Sequence, residues 1–171
     1  VSNVTNMSHL FWGCTNFVSN LSEWDVSNVT DMSGMFDVAT NFNGDISGWD
    51  VSNVTNMPGM FWNATSFNQD LSNWDVSSVT NMFKMFKSAT SFNQDLSSWD
   101  VSNVTNMGEM FDVAAALTEE NKCLIHISFS SNEAWPYDWS GYCSIDGYTF
   151  VPDDNFEQAL IDLGYDDVID N

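Results

Sequence analysis

Residues 67–91 read FNQDLSNWDVSSVTNMFKMFKSATS, and residues 92–116 repeat that pattern as FNQDLSSWDVSNVTNMGEMFDVAAA. The unit can be followed back to the first residue, because a valine opens the motif V-S-[N/S]-V-T-[N/D]-M once every 25 residues. These valines are Val1, Val26, Val51, Val76 and Val101. Four full units and part of a fifth succeed one another without an insertion. A fixed period of this length predicts a repeat protein whose units stack on one another.

Each unit places its apolar residues in fixed columns. All nine methionines fall into two of these columns, and one tryptophan and two phenylalanines also recur in successive units. Apolar side chains that repeat at a constant phase pack inward, so the columns predict a core that runs along the whole stack. The columns are Met7, Met32, Met57, Met82 and Met107; Met35, Met60, Met85 and Met110; Trp24, Trp49, Trp74 and Trp99; Phe36, Phe61, Phe86 and Phe111; and Phe17, Phe42, Phe67 and Phe92.

A column of small residues follows the first phenylalanine column. Its members are Ala39, Ala64, Ala89 and Ala114. Small side chains at a fixed phase indicate a place where neighbouring coils approach closely. Cys14 occupies this column in the first unit, so we predict that it is a small buried side chain rather than a reactive thiol.

The local pattern within one unit predicts a strand and a short helix. Apolar residues stand at i, i+3, i+4 and i+7 from Met82 to Ala89, which is typical of one face of an α-helix or 3₁₀ helix. In the other half of the unit, Trp74, Asp75 and Val76 alternate between apolar and polar as a short strand does. One coil is therefore expected to run through strand, turn, helix and loop.

The charge balance excludes several classes of partner. Against 24 acidic residues the chain carries only three lysines and no arginine, which gives a formal net charge of -21. Nucleic acid and anionic membrane surfaces would be repelled, whereas divalent cations, basic proteins and neutral sugars remain possible partners. No apolar stretch is long enough to span a membrane directly.

Two columns of acidic residues are the candidate binding residues. Asp25, Asp50, Asp75 and Asp100 are predicted to form an exposed ladder, in which neighbouring carboxylates repel one another. Two interactions are able to offset that repulsion. Each aspartate can accept hydrogen bonds from the turn that follows it, as in an Asx-turn with Ser77 or Ser78, or the ladder can hold calcium ions or a basic partner. A second column, which begins with Asn20, offers the same two alternatives and supplies the candidate metal ligands Asp45, Asp70 and Asp95.

Catalytic groups are scarce. The two histidines, His9 and His126, do not belong to any recognisable metal or nucleophile motif, and no phosphate-binding glycine loop is present in the sequence. Aspartates repeated in identical surroundings also lack the different environments that an acid and a base require. We therefore expect no enzymatic activity, no catalytic residue and no resident cofactor, with calcium as the one open possibility.

Residues 67–82 follow a pattern that identifies a family. The segment departs only at Ser78 from F-N-x-D-L-S-x-W-D-V-S-N-V-T-N-M, and so it resembles the 25-residue-repeat branch of the BspA-like leucine-rich repeat surface proteins of bacteria. The resemblance covers residues 1 to about 116. It implies a leucine-rich-repeat-like solenoid with short parallel strands on one face and short helical or irregular segments on the other. It also implies a secreted or cell-surface location and a role in adhesion.

These expectations combine into two functional hypotheses. The first is a secreted or surface-attached module that binds a protein or glycan ligand through the acidic strand face. The second is a purely structural stalk or spacer, with stiffening by calcium as a variant of this hypothesis. Neither hypothesis involves nucleic acid or insertion of this segment into a membrane.

The repeat pattern ends after Ala116. Residues 117–147 are aromatic and irregular in pattern and are predicted to form a cap. Cys123 and Cys143 either form a disulfide that closes this cap or remain two buried free thiols. Similar cysteine-bearing caps follow the repeats in the resembling family, which favours the disulfide and hence an oxidising compartment.

The last segment differs again in composition. Residues 148–171 contain apolar residues at helical spacing, from Phe156 to Leu163, and Gly164 is a natural helix end. Similar segments open leucine-rich repeat regions in bacterial surface proteins, so a second module is expected to begin here. Because the sequence starts at Val1 inside a repeat, we also expect the chain to be a fragment of a longer protein.

Overall fold

A computed structural model describes residues 1–145 and 148–149 of the chain. The five repeat units and the cap lie within this range, and we refer to residues 1–25, 26–50, 51–75, 76–100 and 101–116 as coils 1 to 5. The helix predicted from Phe156 to Leu163 lies outside the described residues, and the division into three domains remains a prediction.

Successive coils lie directly on one another, joined by backbone hydrogen bonds between residues 24 or 25 positions apart. The N–H groups of Met7 and Phe11 donate to the carbonyls of Asp31 and Met35, both at 2.9 Å, and the N–H of Thr30 donates back to Thr5 at 2.8 Å. The next coils repeat this pattern. The one place where the pairing has strand geometry is a single parallel bridge per coil, formed by Asn6, Asp31, Asn56, Asn81 and Asn106.

The predicted leucine-rich-repeat-like fold is wrong, because residues 1–118 contain no α-helix and no strand. The expected strand at Trp74 does not form, since local turns satisfy the hydrogen bonds that a strand would share. The N–H of Trp74 donates to Leu71 at 3.0 Å, and the N–H of Ser77 donates to the side chain of Asp75 at 3.1 Å. These bonds leave no row of backbone groups free for pairing, so the stack has no strand face.

The helix expected from Met82 to Ala89 is also wrong. The N–H groups alternate between two kinds of acceptor. Those of Met85 and Lys87 donate to the carbonyls three positions before them, whereas those of Lys84 and Phe86 donate to carbonyls of coil 5. Lys84 and Ser88 have a φ of 58°, in the left-handed region, which interrupts any α-helix. The apolar residues are nevertheless spaced as in a helix, because a succession of turns closed between residues three positions apart also places them on one side of the chain.

The core follows the predicted columns. Met60, Phe61 and Phe67 are fully buried, and the phenylalanine rings of successive coils stack with their centroids 5.5–5.6 Å apart from Phe36 to Phe111. The indole N–H of Trp74 donates to the carbonyl of Ile46 in the coil below at 3.1 Å, and Trp99 repeats this bond with Leu71 at 2.9 Å. The tryptophan column therefore joins neighbouring coils through a hydrogen bond as well as through contact area.

The first coil is the exception to this burial. Cys14 is exposed, so its predicted burial is wrong, and Leu10 and Trp12 are exposed as well. The equivalents of Leu10 and Cys14 in coil 3, Met60 and Ala64, are fully buried, whereas coil 1 is covered on one side only. Burial in this fold comes from the neighbouring coil rather than from the coil itself.

The opposite end of the stack is closed by a cap. It contains the helix α1 (Glu119–Phe129), a 3₁₀ helix (Ser140–Cys143), and two short antiparallel strands, β1 (Ser144–Ile145) and β2 (Tyr148–Thr149). The structure contains the Cys123–Cys143 disulfide, which ties α1 to the 3₁₀ helix. The irregular sequence of the cap did not mark α1, which buries Ile125 and Phe129 in the same core as the coils.

Tyr137 takes over a hydrogen bond that the next coil would have supplied. The N–H of Phe86 donates to a carbonyl of coil 5, but the equivalent N–H of Phe111 donates to the Tyr137 hydroxyl at 2.9 Å. That hydroxyl donates in turn to Asp112 Oδ1 at 2.9 Å. Burial raises the pKa of Tyr137 above its usual range, so the phenol stays protonated and able to donate.

We predict that Tyr137→Phe lowers the free energy of unfolding by about 1–3 kcal/mol, because it leaves the N–H of Phe111 without a partner in a partly buried place. Urea denaturation measures this change. Tyr142→Phe is the matched control, since Tyr142 is exposed and its ring remains under Lys122. Equal stability of the two variants would contradict the role given to Tyr137.

We predict that Val113→Gly raises the free energy of unfolding by about 1 kcal/mol, because a β-branched residue is strained at the φ of 62° that Val113 adopts. The side chain is 67% exposed, so its removal costs little packing. Val18→Gly is the control, since Val18 is equally exposed but does not have a positive φ. Thermal unfolding should show a gain for the first variant and none for the second.

Candidate acidic binding surface

The four aspartates predicted to bind a ligand form a row on the surface, which we call the acidic ladder: Asp25, Asp50, Asp75 and Asp100. All four are exposed. Each follows the buried tryptophan of its coil, or its half-buried equivalent in coil 1, so the core fixes the backbone from which the carboxylate projects. The ladder therefore repeats once per coil.

Each ladder aspartate closes an Asx-turn with the serine two residues later. The Oδ1 atom accepts the serine N–H at 2.9–3.2 Å in all four coils, and it accepts the serine hydroxyl at 2.6 Å in the first three. This is the turn that the sequence offered as one alternative, with Ser77 rather than Ser78 as the partner of Asp75. One carboxylate oxygen is thus committed to the fold, while these hydrogen bonds leave the second free.

The hydrogen bonds of the Asx-turn lower the pKa of three ladder aspartates. The hydroxyl and N–H of Ser27 lower the pKa of Asp25, and those of Ser77 do the same for Asp75, although the neighbouring Asp100 acts in the opposite sense on Asp75. The N–H of Ser102 is the largest cause that lowers the pKa of Asp100. The carboxylates of Asp25, Asp75 and Asp100 are therefore charged at neutral pH.

The second acidic column makes the same turn. Asp45, Asp70 and Asp95 are exposed and accept the N–H of Ser47, Ser72 and Ser97 at 3.0, 2.9 and 2.8 Å. At the head of this column, Asn20 accepts the N–H of Ser22 at 2.8 Å. Since a neutral asparagine closes the turn equally well, the turn requires an acceptor oxygen and not a charge.

The predicted calcium site is not assembled in the part of the chain that the structure describes. Among those residues, no group of three or more carboxylate, histidine or cysteine side chains converges in a way that could hold a metal ion. Asp45, Asp70 and Asp95 each sit in a separate turn and share no centre. Calcium binding remains a prediction without a geometric site.

The ladder ends in a cleft that the sequence did not reveal. Its volume is about 890 Å³, and it lies between the cap and the junction of coils 4 and 5. Asp100 and Glu133 contribute carboxylates to the lining, and the remaining polar groups are serine, threonine and asparagine side chains. Ser128 and Asn132 fix one wall by donating to the carbonyls of Ser97 and Val101, both at 2.7 Å. The cleft depends on the packing of residues about 30 positions apart, which no local motif marks.

The two histidines lie far from each other in the stack. His126 is part of α1, and its Nδ1 accepts the indole N–H of Trp135 at 3.2 Å, which is a structural contact. His9 lies in coil 1, over Gly34 of coil 2. The expectation that the chain is not an enzyme stays a prediction.

The repeat units match a known protein family. The family model described as "Mycoplasma protein of unknown function, DUF285" matches residues 1–78 and again residues 49–125. The chain belongs to the DUF285 family. This family is associated with BspA-like surface repeat proteins, which supports the coarser part of the resemblance, whereas the leucine-rich repeat assignment is not confirmed.

Other comparisons add no relative. The search of curated proteins gave no match, and the search of solved structures gave none. Among the described residues of this DUF285 chain, no helix has both the length and the apolar character needed to cross a bilayer.

We predict that Asp75→Asn leaves the melting temperature unchanged within about 1 °C, whereas Asp75→Ala lowers it, because only asparagine keeps the acceptor of the Asx-turn. Circular dichroism during heating measures both. The natural Asn20 is the internal precedent. A loss of stability with asparagine as large as with alanine would mean that the charge itself stabilises the turn.

Proposed function

We propose that this DUF285 chain is part of a secreted or cell-surface protein and serves as a binding module, with the acidic ladder as its ligand-contacting surface. The observation that carries the proposal is the combination of four exposed carboxylates in register, each held in place through only one of its oxygens. The second oxygen of each carboxylate is not used by the Asx-turn, so it can contact a ligand.

The arrangement favours a partner with several basic side chains. The serine contacts already restrain the aspartate rotamers, so binding loses less side-chain entropy than it would with mobile carboxylates. The net charge of -21 attracts a basic partner over long distances and accelerates its encounter with the ladder. A basic segment of a protein fits these conditions best, and a glycan that presents amino groups is the other candidate.

The Cys123–Cys143 disulfide supports the proposed location. Disulfides persist in oxidising compartments such as the bacterial cell surface and the extracellular space. The association of the DUF285 family with surface repeat proteins points the same way.

A stalk or spacer is the alternative function, and the Asx-turns favour it. They account for an acceptor residue at each ladder position without any ligand, as Asn20 illustrates in the neighbouring column. A continuous core from coil 1 to the cap also suits a rigid spacer.

A charge-matched pair of variants separates the two functions. In the ladder variant, Asp25, Asp50, Asp75 and Asp100 are all replaced by asparagine, which keeps the Asx-turns and removes four charges. In the control, the exposed Glu23, Glu119 and Glu120 are replaced by glutamine and the exposed Asp45 by asparagine, which removes four charges outside the ladder and keeps the Asx-turn of Asp45. The probe is a fluorescent octalysine peptide in fluorescence anisotropy, at about 0.15 M salt so that distant charges are screened.

We expect the ladder variant to weaken peptide binding at least tenfold and the control to weaken it less than threefold. A spacer would show equal, small losses in both variants. Immobilised matrix proteins and a glycan panel then test the natural ligand with the same two variants. Retention of all matrix and glycan binding by the ladder variant would contradict the proposal even if the peptide result agreed.

Binding of the basic peptide should also depend on pH in a defined sense. The pKa values of Asp25, Asp75 and Asp100 lie below the ordinary 3.8, so these carboxylates remain charged as pH falls to about 4. We expect constant affinity between pH 7 and about 4.5 and a loss of affinity below the lowered pKa values. A titration with a midpoint near pH 6 would implicate histidine instead of the ladder.

A further inference from the structure

A second surface differs from the acidic ladder because its residues change from coil to coil. Four columns between the first methionine and the alanine of each unit carry at least three residue types across the five coils, and three of them form this second surface. They are Ser8, Ser33, Pro58, Phe83 and Gly108; His9, Gly34, Gly59, Lys84 and Glu109; and Trp12, Asp37, Trp62, Lys87 and Asp112. Neither the core nor the hydrogen bonds between coils require a particular side chain here, so these columns are free to form a site of their own.

These columns enclose a groove of about 250 Å³ around Gly59, which we call the Gly59 groove. His9 and Lys84 bound it at its two ends along the stack, and the aromatic rings of Trp62 and Phe83 form part of its walls. All lining residues belong to the three variable columns: His9, Ser33, Gly34, Asp37, Pro58, Gly59, Trp62, Phe83 and Lys84.

The floor of the groove is open because a side chain is missing, and not because the backbone demands glycine. Gly59 has a φ of 61°, but His9, Lys84 and Glu109 adopt φ values of 56–58° at the same position of their own coils. A Cβ atom on Gly34 would lie 2.8 Å from the His9 ring, whereas one on Gly59 would meet nothing closer than 3.8 Å. The space above Gly59 is therefore left for a ligand, while the space above Gly34 is filled by His9.

The groove contains an acceptor without a partner. Asp37 Oδ1 is buried and receives no hydrogen bond among the described residues. Burial raises the pKa of Asp37, although His9, Trp12 and Asn63 act against this effect. Because Asp37 lines the groove, a rotation of its side chain toward a ligand hydroxyl would give the carboxylate the hydrogen bond that Oδ1 lacks.

The donors and the aromatic surface complete the set of interactions. Lys84 Nζ lies 5.0 Å from the centroid of the Trp62 ring and 4.7 Å from that of Phe83. It forms an ion pair with Glu109 Oε2 at 3.6 Å, and an ammonium group has three N–H donors, so this pair leaves donors for a ligand. Trp62 is only partly buried and offers apolar area to whatever enters.

The charges select the class of ligand. A cationic ligand would be repelled by Lys84 at one end of the groove, and an anionic ligand would be repelled by Asp37 and by the net charge of -21. A neutral compound that carries both hydroxyl donors and acceptors avoids both penalties. A sugar ring has these groups on its rim and an apolar C–H face, and a volume near 250 Å³ admits one such ring.

We propose that the Gly59 groove binds one neutral sugar ring of a glycan, with the C–H face of the ring on Trp62, a hydroxyl donating to the carboxylate of Asp37 after a rotation of that side chain, and Lys84 donating to another hydroxyl. This site is separate from the acidic ladder and does not depend on it.

Isothermal titration and saturation-transfer NMR with neutral methyl hexopyranosides and neutral disaccharides test the proposal. One ring in an open groove should bind with a Kd on the order of 1 mM. Trp62→Ala and Gly59→Asn should each weaken binding at least tenfold, the first by removing the apolar wall and the second by filling the floor. Trp62→Phe should restore part of the affinity that alanine loses.

Gly13→Asn is the matched control for Gly59→Asn. Gly13 also has a positive φ, of 69°, and a Cβ there meets nothing within 4 Å, but it does not line the groove. Equal thermal stability of the two asparagine variants shows that any difference in sugar binding comes from the groove. The ladder variant should bind the same sugars as the natural chain, so failure of one site does not obscure the other.

Three results would overturn the proposal. The first is the absence of binding by every neutral sugar at about ten times the expected Kd. The second is tighter binding of anionic sugars, or of free aromatic amino acids, than of neutral sugars. The third is binding of neutral sugars that Gly59→Asn leaves unchanged.

Discussion

The alternation of backbone hydrogen bonds between the first methionine and the alanine of each coil supports the rest of the structure. Along this segment one N–H closes a turn within its own coil and the next donates to the following coil, as Met85 and Phe86 illustrate. Two residues per coil in the left-handed region make the alternation possible. A coil that shifted by one residue would exchange the two sets of donors and bury polar groups without partners, so the register between coils is fixed.

That register explains where the core begins and ends. Since each coil buries its apolar side only against its neighbours, the inner rows of Met, Phe and Trp are almost completely buried while coil 1 leaves Leu10 and Trp12 exposed. At the other end, the cap reproduces what a sixth coil would supply. Tyr137 accepts the N–H of Phe111, and the Asn132 amide donates to the carbonyls of Val101 and Val104 at 2.7 and 2.9 Å. A stack of this kind needs such substitutes because its last donors and acceptors would otherwise lie unpaired.

The same register produces two different kinds of surface. Where the unit is constant, it creates a row of identical groups, and the acidic ladder is the clearest example. Where the residues of the unit vary, the same register brings unlike side chains from successive coils together. The Gly59 groove, lined in part by His9, Asp37, Trp62 and Lys84, is an example. The exposure of Asp75 could be predicted, because an aspartate follows the inward-facing tryptophan in each of the first four coils. The groove could not, since its shape depends on the His9 ring lying over Gly34 while the equivalent space over Gly59 stays empty.

The sequence alone determined the period, the buried columns and the acidic rows, because an uninterrupted 25-residue repeat places like residues over like residues whatever the local conformation is. It did not determine that conformation. Apolar spacing from Met82 to Ala89 fits a helix as well as a chain of turns, and the choice was made by carbonyl groups of coil 5 that accept every second N–H. Asx-turns likewise removed the expected strand at Trp74, and packing against the last coil turned an irregular pattern into α1. Tertiary structure decided these features because the hydrogen-bonding partners lie a full coil away, beyond the range of any local pattern.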